Sequence, residues 1–188
     1  MDDMNELWIV RHGQTEWSLA GRHTSVTDLP LTEAGEEEAR KLRARLETIE
    51  FAHVLTSPRT RARRTAELAG FPDAEVDDDL REWAYGDYEG VTGDEIRADN
   101  PGWSIWTGSA PGGDTADEVA TRLDRVVARA TAAPGRTLVF AHGHSSRALA
   151  ARWLERPAGD GGVFKLDTAT ISVLGYEHGR RAVAKWNA

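Results

Sequence analysis

The chain has 188 residues, with 23 Lys and Arg against 31 Asp and Glu, a formal net charge of −8. That acidity argues against nucleic-acid wrapping or binding to an anionic membrane, and no apolar run approaches the ~18 residues of a membrane span. The chain has no cysteine, which excludes disulfides, thiolate nucleophiles and Cys-ligated zinc. A chain of this length is expected to form a single domain over residues 1–188. Its acidic start, Met1 to Glu6, differs from the basic start of a secretory leader, so a cytoplasmic location is expected.

Leu7–Val10 is a short continuous apolar run, the pattern of a strand buried on both faces of a parallel sheet, and it leads into Arg11-His12-Gly13. From Thr32 to Glu47, Ala39, Leu42 and Leu46 recur at steps of three and four, which predicts an amphipathic helix. Its acids come early and its bases late, as the helix dipole prefers. Ala52–Thr56 reads as a second strand. Ser57-Pro58 is expected to open a helix through about Leu68, with Ser57 as N-cap and Gly70 and Pro72 as the stop. Phe71 to Pro111 is less regular, with a short helix expected near Thr92–Asp99 and Trp83, Tyr85, Tyr88, Trp103 and Trp106 spread along it. A helix is expected from Asp114 to about Thr131. Thr137–Ala141 reads as a third buried strand, ending in His142-Gly143-His144, and Ser145–Leu154 as a helix. Val163–Leu166, Ile171–Tyr176 and Ala182–Trp186 read as strands. The alternation predicts an α/β fold, a three-layer α/β/α sandwich around a mostly parallel sheet.

Ligands of such sheets bind beyond the carboxyl ends of the strands, and two of these strands end in histidine. The helix after the strand ending at Ser57 carries Arg59, Arg61, Arg63 and Arg64. Positions 61 and 63 lie about 200° apart on a helix, so only one of them faces a given ligand. A local cationic pocket in an acidic chain points to a small anion with oxygens that Arg grips in pairs. Phosphate is the natural candidate.

The segment Arg11-His12-Gly13-Gln14-Thr15-Glu16-Trp17 resembles the signature of the histidine phosphatase superfamily, the phosphoglycerate mutase-like proteins. It is joined in order by Leu29-Pro30-Leu31-Thr32 with Gly35, Ser57-Pro58-Arg59-Thr60-Arg61-Ala62, Leu80-Arg81-Glu82, Gly86-Asp87-Tyr88-Glu89-Gly90 and His142-Gly143. Gly21-Arg22-His23-Thr24, Trp83 with Tyr85-Gly86, and His142-Gly143-His144 are most similar to the acid phosphatase and sedoheptulose-1,7-bisphosphatase branch. The resemblance implies a phosphatase of small phosphorylated metabolites that works through a phosphohistidine, with neither metal nor cofactor. His12 would be the nucleophile. Arg11, Arg61 and His142 would surround the phosphoryl group, and Glu82 would serve as proton donor and then acceptor. Gly13, Ser18, Arg22, His23, Thr24, Ser25, Tyr85, Gly143 and His144 would bind substrate, with Ser18 standing where the mutases place an Asn. The region of about 83–113 would form a short cap; the mutases carry a longer insertion there, so an open, water-accessible site and hydrolysis are expected.

Three other readings stay open at this point: phosphoglycerate mutase-type transfer, a metallohydrolase built on His12, His142 and His144, and a non-catalytic phosphosugar-binding domain. The expected partner is a small phosphorylated metabolite, with no nucleic acid and no membrane; homo-oligomerisation is not readable. Asp79 and Glu89 are the substitutes for Glu82 as the acid.

Overall fold

The apolar run after Glu6 becomes the middle of the sheet. In β1 (Asn5–Arg11), Leu7 and Ile9 enter one core layer and Val10 the other, because successive strand side chains face opposite ways. β4 (Gly135–Ala141) repeats this, with Val139 and Ala141 on one side and Leu138 and Phe140 on the other. The computed structural model describes residues 5–108, 110–132 and 134–188.

The sheet also holds β2 (His53–Thr56), β3 (Glu75–Val76), β5 (Ile171–Glu177) and β6 (Arg180–Lys185), in the order β3-β2-β4-β1-β5-β6. The first four in that order are parallel, while β5 runs antiparallel to β1 and β6 to β5. On one face, α2 (Glu33–Leu46) and α3 (Thr60–Leu68) press Leu42, Leu46 and Ala66 onto Val10, Leu138 and Phe140. On the other, α5 (Ala116–Thr131) and α6 (Gly143–Trp153) contribute Val119, Leu123, Ala148 and Trp153 to the larger core. Each fully buried Leu there contributes about 1.5–3 kcal/mol. The two remaining helices, α1 (Glu16–Leu19) and α4 (Gly93–Asp99), are short and lie in the connections. The architecture is the expected α/β/α sandwich. No helix among the described residues is long and apolar enough to cross a membrane.

Three local expectations fail. Ser57 does not cap α3, which starts at Thr60 with Arg59 as N-cap; its hydroxyl is hydrogen-bonded to His142 instead. α6 starts two residues early, at Gly143, because His142 takes the N-cap position. Val163–Leu166 is not a strand. A 3-10 turn over Ala158–Val163 occupies its start, Val163 is 83% exposed, and the Leu166 carbonyl is bonded by a side chain.

Candidate active site

Parallel pairing brings the site together. Arg11 of β1 lies beside Ala141 of β4, and Thr56 of β2 beside Phe140, so His12, His142 and Ser57 meet at one sheet edge. The His12 amide donates to the Ala141 carbonyl at 3.0 Å, and the rings of His12 and His142 sit edge-on with centroids 5.2 Å apart. His12 donates through Nδ1 to the Gly13 carbonyl at 2.8 Å. A carbonyl can only accept, so the proton is on Nδ1 and the lone pair on Nε2. Gly13 allows this turn because a Cβ there would run into the Gly35 backbone at the start of α2.

Cations converge on that ring. Arg11 donates to the Leu166 carbonyl at 2.5 Å, while its Nε is buried without a hydrogen-bond partner among the described residues. Arg61 is fully buried and donates to the carbonyls of Thr24, Ser25 and Thr27, with its Nε also unpartnered. Arg63, two positions on, is exposed, so the helix geometry separates the two as expected. His142 pairs through Nε2 with Ser57 Oγ at 2.7 Å and leaves Nδ1 buried and without a partner among the described residues. Buried polar atoms are rarely left without partners, so this group around His12 calls for an acceptor.

Glu82 lies across the helix start. Its Oε1 accepts from the amides of Trp83 at 2.9 Å and Ser145 at 2.7 Å, and its Oε2 from His144 at 3.1 Å. A carboxylate at the N-terminus of α6 suits the helix dipole. The two substitute acids are engaged elsewhere: Asp79 pairs with Arg125, and Glu89 accepts from Ser25 and Thr27 to hold their loop.

A cavity of about 210 Å³ opens in front of these groups, room for a small ligand. Arg11, His12, Ser18, Arg22, His23, Thr24, Glu82, Tyr85, Gly143 and His144 line it. Gly13, Ser25, Arg61 and His142 are not among its lining residues. Ser25 Oγ bonds Glu89 and accepts from the Tyr85 amide, so its part is to hold the loop. Ser18 Oγ donates to the Thr15 carbonyl within the cap of α1, so its proton is already engaged, unlike that of an Asn amide. Arg22 is held by the Gly90 carbonyl and by Glu95 at 3.9 Å. His23 donates through Nδ1 to the Val91 carbonyl and stacks on His144 at 5.8 Å. Tyr85 hydrogen-bonds His144 Nδ1 at 2.5 Å.

Burial, then the guanidiniums of Arg61 and Arg11, hold the His12 imidazole well below its usual pKa of 6.5. Burial and Arg61 do the same to His142, and burial and Arg147 to His144. All three are therefore neutral near pH 7. Burial pushes the Tyr85 phenol well up, so it keeps its proton and donates it to His144. The stability consequence has a definite sign. Because the folded values lie below the unfolded one, the unfolded chain binds more protons between them. The associated stability is complete above about pH 6.5 and is lost as pH falls toward the folded values. Calorimetric unfolding at pH 6.0 in buffers of different ionisation enthalpy should register proton uptake; no uptake would contradict three buried neutral imidazoles.

The histidine phosphatase superfamily (branch 1) pattern matches residues 7–188. The chain belongs to this superfamily. It is 41% identical over 184 residues to an acid phosphatase of Mycobacterium tuberculosis, covering 96% of this chain and 91% of that one. It is 40% identical over 179 residues to sedoheptulose 1,7-bisphosphatase of Saccharomyces cerevisiae, covering 77% of this chain and 66% of that one. A solved structure of an open reading frame product of Mycobacterium tuberculosis superposes with a TM-score of 0.92 at 39% identity, covering 97% of both chains. The protein is a phosphatase.

In this histidine phosphatase the cavity also includes Thr15 and Gly21, which belong to the motifs but were given no site role, and Arg147 and Leu166, which no motif contains. Arg147 lies three positions after His144 in α6, hence on the same face; the helix expected from Ser145 begins one residue too late to contain His144 and so to show this. Leu166 lines the wall from a segment read as a strand, and no periodicity marks it.

Proposed function

We propose that this phosphatase hydrolyses monoesters of small phosphorylated metabolites, sugar phosphates or bisphosphates, through a phosphohistidine on His12 and without a metal ion. One observation carries the reading: a neutral His12, its proton tied to Gly13, lies edge-on to His142 and within the electrostatic reach of Arg61 and Arg11, and all three of these neighbours keep a buried nitrogen without a partner among the described residues. Phosphoryl oxygens satisfy such donors, and the lone pair on Nε2 suits attack at phosphorus. In the first step the N–P bond forms, the bond to the leaving oxygen breaks, and that oxygen takes a proton from Glu82. In the second, water attacks phosphorus and passes a proton to Glu82, the N–P bond breaks, and inorganic phosphate leaves. One carboxyl serves both steps because it ends the first ionised. The names of the relatives, an acid phosphatase and a sugar bisphosphatase, support this substrate class.

Turnover of p-nitrophenyl phosphate in excess EDTA tests the proposal. The expected result is an undiminished rate that vanadate inhibits. Loss of activity in EDTA, restored by a divalent cation, would overturn it in favour of a metallohydrolase.

A further inference from the structure

The two histidines that meet at the sheet edge are tied at opposite ring nitrogens. The Nδ1 proton of His12 goes to the Gly13 carbonyl, which leaves the Nε2 lone pair for the reaction. His142 is held at Nε2 instead, 2.7 Å from Ser57 Oγ, and its Nδ1 has no partner among the described residues. Ser57 and His142 are both wholly buried. Ser57 directly follows β2, and its amide donates to the Phe140 carbonyl of β4 at 2.9 Å, so strand pairing places its hydroxyl.

Which of the two atoms donates decides what His142 can do. A serine hydroxyl carries one proton, and Ser57 Oγ already accepts the Arg59 amide at 3.4 Å. If His142 Nε2 donated, the Ser57 proton would have no acceptor among the described residues, and Nδ1 would be a buried bare lone pair. Both are costly. If Ser57 donates, Nε2 accepts and the proton of the ring sits on Nδ1. The ring has only one proton to place, because burial, then the guanidinium of Arg61, keeps it neutral. The two imidazoles then share a tautomer and differ in capacity: His12 offers a lone pair, His142 an N–H. A carboxylate in the place of Ser57 would favour the imidazolium, whereas a hydroxyl orients the ring without charging it.

We infer that Ser57 is a positioning residue that fixes the tautomer of His142, so that Nδ1 donates to an oxygen of the transferring phosphoryl group. Ser57 acts through His142. The inference rests on the phosphatase reading above and adds to it a role for Ser57.

Long-range ¹H–¹⁵N correlation of the imidazole nitrogens reads the tautomer in wild type and Ser57→Ala, with the His142 signals assigned through His142→Gln. Wild-type His142 should be protonated at Nδ1 and bare at Nε2, and Ser57→Ala should lose that preference. In Ser57→Ala, kcat for p-nitrophenyl phosphate and the affinity for vanadate should both fall at least about 10-fold, as a misdirected donor to the phosphoryl group implies. In the His142→Gln background, Ser57→Ala should cost less than about twofold, because its route of action is gone. Losses that multiply would give Ser57 a merely structural part and overturn the inference. A wild-type His142 protonated at Nε2 would also overturn it, as would a tautomer that Ser57→Ala leaves unchanged. The wild-type spectrum decides even where Ser57→Ala does not fold. If wild type turns over no substrate, it is the phosphatase reading that fails, and the tautomer in wild type and Ser57→Ala still decides whether Ser57 sets the ring.

Discussion

Replacing His12 with alanine is expected to lower kcat/KM for p-nitrophenyl phosphate by at least ~10⁴-fold, the scale at which removing a nucleophile acts. The structure explains why the fold should survive. His12 follows β1 rather than lying within it, and its ring belongs to neither hydrophobic core cluster. Its one side-chain hydrogen bond, to the Gly13 carbonyl, is a net contribution of about 1 kcal/mol. Removing the ring also takes away a group whose burial keeps it from its proton near pH 6. Turnover and the thermal midpoint, measured on the same preparation, separate the two effects. Activity within tenfold of wild type, with an unchanged midpoint, would mean that another residue attacks phosphorus.

Glu82→Gln is expected to separate good leaving groups from poor ones. A sugar alkoxide needs a proton as it departs, whereas p-nitrophenolate leaves without one. In single-turnover experiments, phosphorylation of His12 should therefore slow ~10²–10⁴-fold with a sugar phosphate and far less with p-nitrophenyl phosphate. The second step also loses its base, so p-nitrophenyl phosphate should give a burst followed by slow release. One structural detail shapes the control. Both oxygens of Glu82 accept backbone amides, from Trp83, His144 and Ser145, so an amide side chain must turn its NH₂ toward at least one of these donors. The thermal midpoint has to be followed, and a loss common to both substrates would reflect that misfit. Equal slowing of the phosphorylation step, with the midpoint unchanged, would remove Glu82 from the role of general acid.

The parts of the molecule that obey a period were legible in the sequence. Val10 and Phe140 sit in buried runs on adjacent parallel strands, and α2 and α5 bury the residues their spacing marks. Histidines after two of those runs therefore had to meet at one sheet edge, and they do. Arg61 and Arg63 were separable by helical angle alone. What escaped was set by contacts between distant segments. Ser57 has the residue type of an N-cap, but β2 ends beside β4 and its hydroxyl goes to His142, 85 positions away. Val163–Leu166 has the composition of a strand, but the glycine turn before it serves Trp106 and Arg147, and Val163 faces solvent. Glu82 was identifiable by its motif; its three amide partners were not, because two of them come from the start of α6. Ser18 was matched by position to a ligand-facing amide, while its own helix cap engages its proton.

A covalent bond between phosphorus and His12 Nε2 is the defining step of the proposed mechanism, and rapid acid quench of the enzyme during turnover of a phosphoryl-labelled substrate tests it most directly. Nδ1 is protonated and engaged with Gly13, so only Nε2 is free to attack. Quenched wild-type protein should carry label that is lost in acid and kept in alkali, as a phosphoramidate is, and peptide mapping should place it on His12. With p-nitrophenyl phosphate as the labelled substrate, Glu82→Gln should accumulate more of it, since phosphorylation is spared and the hydrolysis step lacks a base, and His12→Ala should carry none. Label on a hydroxyl residue, or steady turnover by His12→Ala with no trapped label, would contradict the mechanism.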